Sequence, residues 1–344
     1  MSTLAVTGGA GFIGSHFCEL ALASGHVVRC IDKLTYAGSR DNVAHLERSD
    51  RFSFTLADIG DAVAMREALA GCDAVVNFAA ETHVDRSLLD PARFVQTDVF
   101  ALSVLLSTTR EVGVPQVVQV STDEVYGPVL EGTVDEDAPL RPVSPYAAAK
   151  AGGDLLAQAF HLTYGMDVRV TRGCNAIGPR QHPEKFVALM TTRAIKREPL
   201  PLYGDGRQVR EWLWVGDHAT GIMAVLENGA PGGVYNLGSG QRVENRAVVD
   251  QILRRTGAPA TLVRSVEDRL AHDRRYALDS RRLRSLGWRP SRDVDDALSE
   301  TIAWYVANED RWRERERESH QYFDAVYGQR AEMLARLRAG DPRS

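Results

Sequence analysis

Tyr146 and Lys150 stand four residues apart, and the run Ser121-Thr122-Asp123-Glu124-Val125-Tyr126-Gly127 lies upstream of them. Residues four apart on a helix share a face. The pair therefore sets a phenol beside an ammonium, which is expected to draw the phenol towards ionisation near neutrality and make it a usable base. Asp123 and Glu124 add a second acid and a second base, and adjacent like charges favour opposite protonation states. Hydride transfer needs only the Tyr-Lys set. The presence of both sets points to a redox step coupled to an elimination. Taken alone, Tyr-x-x-x-Lys occurs on many surface helices and an Asp-Glu pair is commonly a solvated loop. Their placement after an apolar strand, with Thr122 alongside, is what gives them weight.

A second constellation lies at the start of the chain, in Thr7-Gly8-Gly9-Ala10-Gly11-Phe12-Ile13-Gly14. Glycines 8, 11 and 14 permit a tight turn, close approach of backbone to a pyrophosphate and close packing of helix on strand. The run follows an apolar strand and opens a helical pattern, the context this motif requires. Asp32, 18 residues after Gly14, suits a hold on both ribose hydroxyls and repels a 2′-phosphate, so NAD is expected rather than NADP. Asp58-Ile59 is placed either to reach the adenine or to cap the helix starting at Asp61. Phe78-Ala79-Ala80-Glu81-Thr82 would pass small residues beneath the cofactor. His83 receives no chemistry, since a lone histidine is more often structural.

These residues need a frame. Apolar runs at Leu4–Thr7, Val27–Asp32, Phe52–Leu56, Ala74–Phe78, Gln116–Ser121 and Val168–Arg172 alternate with helical patterns at Ile13–Ser24, Asp61–Ala70, Pro91–Val112 and Pro145–Tyr164. That alternation predicts an α/β fold with a doubly wound parallel sheet of Rossmann type. Beyond Gly173 the pattern loosens. A helix is expected near Glu184–Arg197, and Trp212–Val215 is read as a strand returning to the first domain. A helix at Asp217–Glu227, a short strand at Tyr235-Asn236-Leu237 and a helix at Arg246–Thr256 follow. The expected division is a cofactor domain at 1–175 plus about 212–240, a smaller discontinuous substrate domain at 176–211 and 241–330, and a tail at 331–344. The alternating charges from Arg311 to Glu318 read as a solvated helical face.

Composition narrows the classes further. A formal net charge of -5 argues against nucleic acid and anionic membranes as partners. No apolar run is long enough to span a bilayer, and the first strand begins too near Met1 to leave room for a cleavable signal. Cys18, Cys30, Cys72 and Cys174 lack metal spacing and are expected as buried thiols, with no metal site. A cytoplasmic protein is expected. Only four of the 41 basic residues are lysine. Lys33, Lys150 and Lys185 all fall within motifs, where a compact ammonium is not replaced by arginine.

In these motifs the chain resembles the extended short-chain dehydrogenase/reductases and, among them, the dTDP-glucose 4,6-dehydratases. The resemblance runs from about Thr3 to Pro290. It is carried by Thr7–Ser15, Asp32-Lys33-Leu34-Thr35-Tyr36-Ala37-Gly38, Ala79–Ser87, Ser121–Gly127, Ser144–Lys150, Pro183-Glu184-Lys185, Leu202-Tyr203-Gly204-Asp205-Gly206 and His272-Asp273-Arg274-Arg275-Tyr276. The nucleotide fingerprint and the Tyr-Lys pair are common to the superfamily. The Thr-Asp-Glu triplet is more specific, because related epimerases lack it. The resemblance implies NAD contacts at Lys33, Leu34, Thr35, Asp58, Ile59, Phe78, Ala79, Ala80, Thr97, Tyr146 and Lys150, beside the glycine turn with Phe12 and Ile13. It implies substrate contacts at Thr82, Thr122, Asn175, Lys185 and Phe186, base packing by Pro201, Leu202 and Tyr203, and a diphosphate held by Arg210, Asn245, Arg269 and His272. Departures from the family pattern occur at Ala176-Ile177, at Asp98 with Ala101-Leu102, and at Leu270-Ala271.

The implied reaction assigns each group a task. Tyr146 takes the proton of the sugar 4-hydroxyl while Thr122 holds that oxygen, and hydride passes from C4 to NAD⁺. The ketone acidifies C5–H, which Glu124 removes. Asp123, protonated, donates to the departing 6-hydroxyl, which leaves as water; hydride then returns to C6 and a proton to C5. The expected activity is dehydration of a nucleotide hexose, dTDP-glucose to its 4-keto-6-deoxy product, by a homodimer packed through Pro91–Val112 and Pro145–Tyr164. The alternatives are a 4-epimerase, a dehydratase for another nucleotide or sugar, or a non-catalytic NAD-binding protein. An epimerase would not need the acidic pair, and a non-catalytic protein would show damage in it or in the Tyr-Lys pair.

Overall fold

Seven parallel strands form the central sheet of the computed structural model, which describes residues 1–267 and 274–317. The first half runs β1 (Thr3–Thr7), α1 (Phe12–Ala23), β2 (Val27–Asp32), β3 (Phe52–Leu56), α2 (Ala62–Leu69), β4 (Ala74–Asn77), α3 (Val84–Leu89), α4 (Pro91–Val95), α5 (Leu102–Glu111), β5 (Gln116–Thr122), α6 (Pro145–Tyr164) and β6 (Asp167–Gly173). The second half runs β7 (Asn175–Ile177), α7 (Phe186–Lys196), β8 (Leu200–Tyr203), β9 (Val209–Trp214), α8 (Val215–Asn228), β10 (Val234–Leu237), β11 (Arg242–Glu244), α9 (Asn245–Thr256), β12 (Val263–Val266), α10 (Arg281–Ser285) and α11 (Val294–Ala307).

The sheet order is β10-β6-β5-β4-β1-β2-β3. The inner strands β1, β4 and β5 are buried on both faces, which explains why they read as mostly apolar runs, whereas the edge strand β3 is largely exposed. Alternate residues separate the two cores. Val6, Val76 and Val118 pack with Phe17 of α1 and Ile222 of α8, whereas Ala5, Val75 and Val117 pack with Met65 of α2 and Leu105 of α5. The order reverses between β1 and β4, where doubly wound sheets open a crevice at their strand ends.

A single residue, Cys174, separates β6 from β7, and there the chain leaves the main sheet. β9 pairs with β7 in parallel and with β11 antiparallel, in a separate three-stranded sheet. Trp212–Val215, expected as a strand returning to the first domain, forms its ladder in this separate sheet, where Trp212 pairs with Asn175 and Trp214 with Ile177. The returning elements are α8, packed on α1, and β10, paired with β6. A second core joins Val187 and Met190 of α7, Val248 and Ile252 of α9, Leu298 of α11, and Trp212.

Two further expectations change. The helix expected over Pro91–Val112 is broken by a π-helical turn at Gln96–Ala101, which joins α4 to α5 and carries Asp98. The tail is not a solvated face throughout. Residues 309–317 are helical, and Trp312 is 1% exposed against Ala188 and Tyr305. Trp312 Nε1 donates to the Tyr305 carbonyl at 2.7 Å, and Glu316 pairs with Lys196 at 3.1 Å. Burying one indole defines an inner face that the charge alternation hides. The same helix reaches back to the loop after β2, where Arg311 Nη2 donates to the Asp41 carbonyl at 3.0 Å. Among the described residues no helix is long and apolar enough to cross a membrane, and no cluster of His, Cys, Asp and Glu could hold a metal. All four cysteines are free and buried.

Candidate active site

A cleft of about 420 Å³ opens at the carboxyl ends of the strands. One wall is the turn between β1 and α1. Gly8 has φ 66°, and a Cβ there would stand 2.5 Å from the Ala79 nitrogen; a Cβ on Gly14 would stand 2.4 Å from the Gly8 carbonyl oxygen. Glycine at these two positions thus lets turn, helix and following segment close on one another. No acidic residue lies in the first turn of α1, so its N-terminus faces the cleft with its dipole uncancelled. Asp32 ends β2 with Oδ2 accepting from the Ala10 N–H at 3.0 Å and Oδ1 from the Leu34 N–H at 2.8 Å. Burial raises its carboxyl and those two N–H groups oppose the rise. This cradle and carboxylate fit a dinucleotide with free ribose hydroxyls.

Of the residues expected to hold the cofactor, Gly8, Gly11, Phe12, Ile13, Gly14, Asp32, Lys33, Thr35, Asp58, Ile59, Phe78, Ala79, Ala80, Thr97, Tyr146 and Lys150 all line this cleft. Leu34 does not. It takes φ 54° and lines a neighbouring cavity, so its contribution here is the N–H that fixes Asp32. Asp58 pairs with Lys33 at 3.2 Å, while Asp61 caps α2 by accepting from Val63 and Ala64.

The second wall is made where β5 ends. Thr122 Oγ1 accepts from the Glu124 N–H at 3.3 Å and donates to Asp123 Oδ1 at 3.2 Å, turning the acidic pair into a short 3₁₀ turn. Burial raises the Asp123 carboxyl well above its ordinary value, with further rises from Glu124 and Glu211. Its Oδ2 is buried without a protein partner. The adjacency expected to separate the two protonation states therefore acts in second place, behind burial. Glu211 on β9 is not singled out by the sequence. It is fully buried, accepting from the Gly240 N–H at 2.7 Å and the Leu278 N–H at 3.1 Å, and nothing local in the sequence marks it as a neighbour of Asp123.

Helix α6 starts with Ser144 accepting from the Ala147 N–H at 3.1 Å and Pro145 in its first turn. The same helix carries Tyr146 and Lys150 into the cleft, with the Tyr146 ring edge-on to Phe94 at 6.1 Å. The phenol does not behave as expected. Burial, then the carboxylates of Glu124 and Asp98, push it well above its ordinary value, against a hydrogen bond with Thr122. Burial leads, and the nearby ammonium is engaged elsewhere: Lys150 Nζ donates to the Val120 carbonyl at 2.9 Å and stands 3.5 Å from Asp98.

The third wall belongs to the second half. Thr82, Asn175, Lys185, Phe186, Pro201, Tyr203, Arg210 and Asn245 line the cleft; Leu202 lies in the core behind it, and Arg269 and His272 lie outside the described residues. Lys185 Nζ donates to Thr82 Oγ1 at 2.7 Å, and burial lowers its ammonium. Asn175 Oδ1 and Asn245 Oδ1 are buried without protein partners, acceptors still to be satisfied. Ala176 is buried in β7, its carbonyl accepting from Gln181 Nε2 at 2.8 Å. Glu184, expected inside a helix, lies in the turn before α7 and also lines the cleft.

This constellation is shared with known proteins. The family model described as GDP-mannose 4,6 dehydratase matches residues 5–301. A dTDP-glucose 4,6-dehydratase of Streptomyces griseus is 50% identical over 314 residues, covering 90% of this chain and 95% of that one. The crystal structure of DesIV, a dTDP-glucose 4,6-dehydratase from Streptomyces venezuelae with NAD bound, superposes with a TM-score of 0.89 at 46% identity, covering 91% of this chain and 99% of that one. A UDP-glucose 4-epimerase of Thermus thermophilus in complex with NAD gives 0.83 at 31% identity, covering 89% and 99%. The chain belongs to the nucleotide-sugar dehydratase family that includes the dTDP-glucose 4,6-dehydratases.

Proposed function

We propose that this protein is an NAD-dependent hydro-lyase that converts dTDP-glucose to dTDP-4-keto-6-deoxyglucose. The observation that carries the reading is one cleft holding the glycine turn, Tyr146 and the Asp123-Glu124 pair together. The glycine turn and Asp32 would hold NAD, which would supply the hydride acceptor for C4 and the hydride donor for C6, a proton returning to C5 in the last step. Thr122 and Tyr146 hold the 4-oxygen, and the phenolic oxygen, having given up its own proton, takes that of the 4-hydroxyl as hydride leaves C4. Glu124 removes the C5 proton once C4 is a ketone. Asp123, kept neutral by burial, supplies the proton with which O6 leaves as water. Lys185, Asn175 and Thr82 orient the hexose, and Arg210 and Asn245 face the diphosphate, for which a guanidinium fork is suited.

The proposal extends to a homodimer. Val95 and Phe100, at the π-helical turn, and Leu155 and Leu162 of α6 are 52%, 53%, 58% and 82% exposed, apolar surface that a second copy would cover. A monomeric mass at micromolar concentration excludes it. A cytoplasmic location is part of the same reading, supported by four unpaired thiols.

The test is incubation with dTDP-glucose and, separately, UDP-glucose. Loss of one water by mass and the alkali-induced absorbance of a 4-keto sugar are expected with dTDP-glucose. If NAD is bound and neither compound loses water, the substrate assignment is wrong.

A further inference from the structure

Lys150 and Asp98 are 6% and 4% exposed, and nothing in their spacing along the chain announces the contact. Lys150 Nζ lies 3.5 Å from Asp98 Oδ1, while Asp98 Oδ2 accepts the Glu81 N–H at 3.2 Å. One carboxyl thus joins the lysine of the Tyr-Lys pair to the segment that runs beneath the cofactor. The backbone is shaped for this. Asp98 sits on the π-helical turn, and Gly153 of α6 leaves room for it, since a Cβ at Gly153 would stand 2.7 Å from the Asp98 carbonyl oxygen.

We propose that Asp98 is a positioning residue of the reaction, taking the Lys150 ammonium as its own counter-ion and so withholding that charge from the Tyr146 phenol. The inference rests on the reading of Tyr146 as the group that exchanges the 4-hydroxyl proton.

The charges around the pair favour such a role. From α6 come Lys150, Tyr146 and Asp154, the last held by Arg172 at 2.8 Å. From the segment after β4 comes Glu81, which Arg93 of α4 engages at 2.9 Å. From the turn after β5 come Asp123 and Glu124, both of which raise the phenol. Lys150 is the nearest cation to Asp98 in this set, and a carboxylate beside it offsets its pull on the phenol. Burial carries the Asp98 carboxyl up to about 6, against Lys150 and the Glu81 N–H. Its charge therefore changes near pH 6, and with it the share of the ammonium's field left to the phenol.

The experiment replaces Asp98 by Asn, which keeps an oxygen for the Glu81 N–H and cannot ionise. The phenol is expected to ionise at lower pH by about one unit, and kcat/KM, which follows the tyrosinate fraction, to rise several-fold at a fixed pH below that transition. Asp98→Glu retains a charge and is expected to keep the wild-type profile, which answers the case where the Asn variant does not accumulate. In the Lys150→Met background the Asn substitution is expected to change the rate by less than about twofold, because its effect passes through the lysine. Tyrosinate difference absorbance, with a Tyr146→Phe variant as baseline, reads the phenol with no substrate present. Failure of the dehydratase assignment and failure of this one are therefore separable. An unchanged tyrosinate titration in Asp98→Asn, a profile in Asp98→Glu shifted like that of Asn, or equal losses from Asp98→Asn with and without Lys150 would each overturn the proposal.

Discussion

Arg86 reaches across the cleft to Glu184, its Nε donating to Oε2 at 3.0 Å. The same guanidinium lies 3.6 Å above the ring of Tyr36, whose hydroxyl donates to the Thr82 carbonyl at 2.6 Å. One side chain therefore ties the loop after β2, the segment after β4 and the turn before α7. Glu184→Gln removes the buried carboxylate of this ion pair, a loss that typically costs about 3–5 kcal/mol. A fall in melting temperature of several degrees is expected by calorimetry, with a higher KM for the sugar nucleotide because Lys185 follows directly. Arg86→Lys keeps the charge but loses the stacked face, and is expected to be destabilised too.

Asp123→Asn separates stability from chemistry. The folded protein raises this carboxyl, so the stability linked to it is full at low pH and drains away as pH rises from the ordinary carboxyl value through the raised one. Asparagine removes that penalty. At pH 8 the variant is expected to melt at or above the wild-type temperature while kcat falls by roughly 10²–10⁴-fold. A variant that melts several degrees lower would show that Asp123 is held as a carboxylate instead.

Glu124→Gln is expected to oxidise C4 and then stop. Rapid quench followed by mass spectrometry should find a 4-keto sugar that retains its 6-hydroxyl, and no deuterium should enter C5 from solvent. Normal turnover would remove Glu124 from the role of base.

His218 provides a pH signature outside the chemistry. It is fully buried, desolvation lowering it to about 4, and a Cβ on Gly173 would stand 2.3 Å from its Nε2. A lowered histidine contributes stability that is complete above its unfolded value near 6.5 and is lost as pH falls towards 4. At pH 5 that loss is about 2 kcal/mol. His218→Gln is expected to flatten the fall in melting temperature between pH 7 and pH 5, and parallel curves for variant and wild type would show that the imidazole does not titrate in this window.

How far the chain can be read without its structure differs between its halves. β1, β2, β4 and β5 are continuous apolar runs because helices cover both faces, and period and burial agree there. The glycine turn and the α6 pair are legible for the same reason, since strand, turn and helix are local. β9 is recognisable as a strand, but nothing local in the sequence gives its pairing with β7 and β11. Its buried Arg210 and Glu211 lie against β11 and residues near Gly240 and Leu278, far along the chain. The ionisation of Tyr146 is not legible, because the four-residue spacing fixes a shared face and says nothing of Asp98, which takes the ammonium. In the tail, alternating charge conceals Trp312, whose burial depends on Ala188 and Tyr305.

The reach of the last described helix to the loop after β2 has a kinetic consequence. Arg311 and Arg315 meet the carbonyls of Asp41 and Ala37 across sequence separations of 270 and 278 residues. Contacts so distant close late, because the intervening chain must already be ordered before they hold. On a ribosome, the loop flanking Asp32 would remain without these two anchors until nearly the whole chain described here had been made. Completion of the cofactor side of the cleft thus waits on the synthesis of Arg315, and the loop after β2 would be anchored long after it is made.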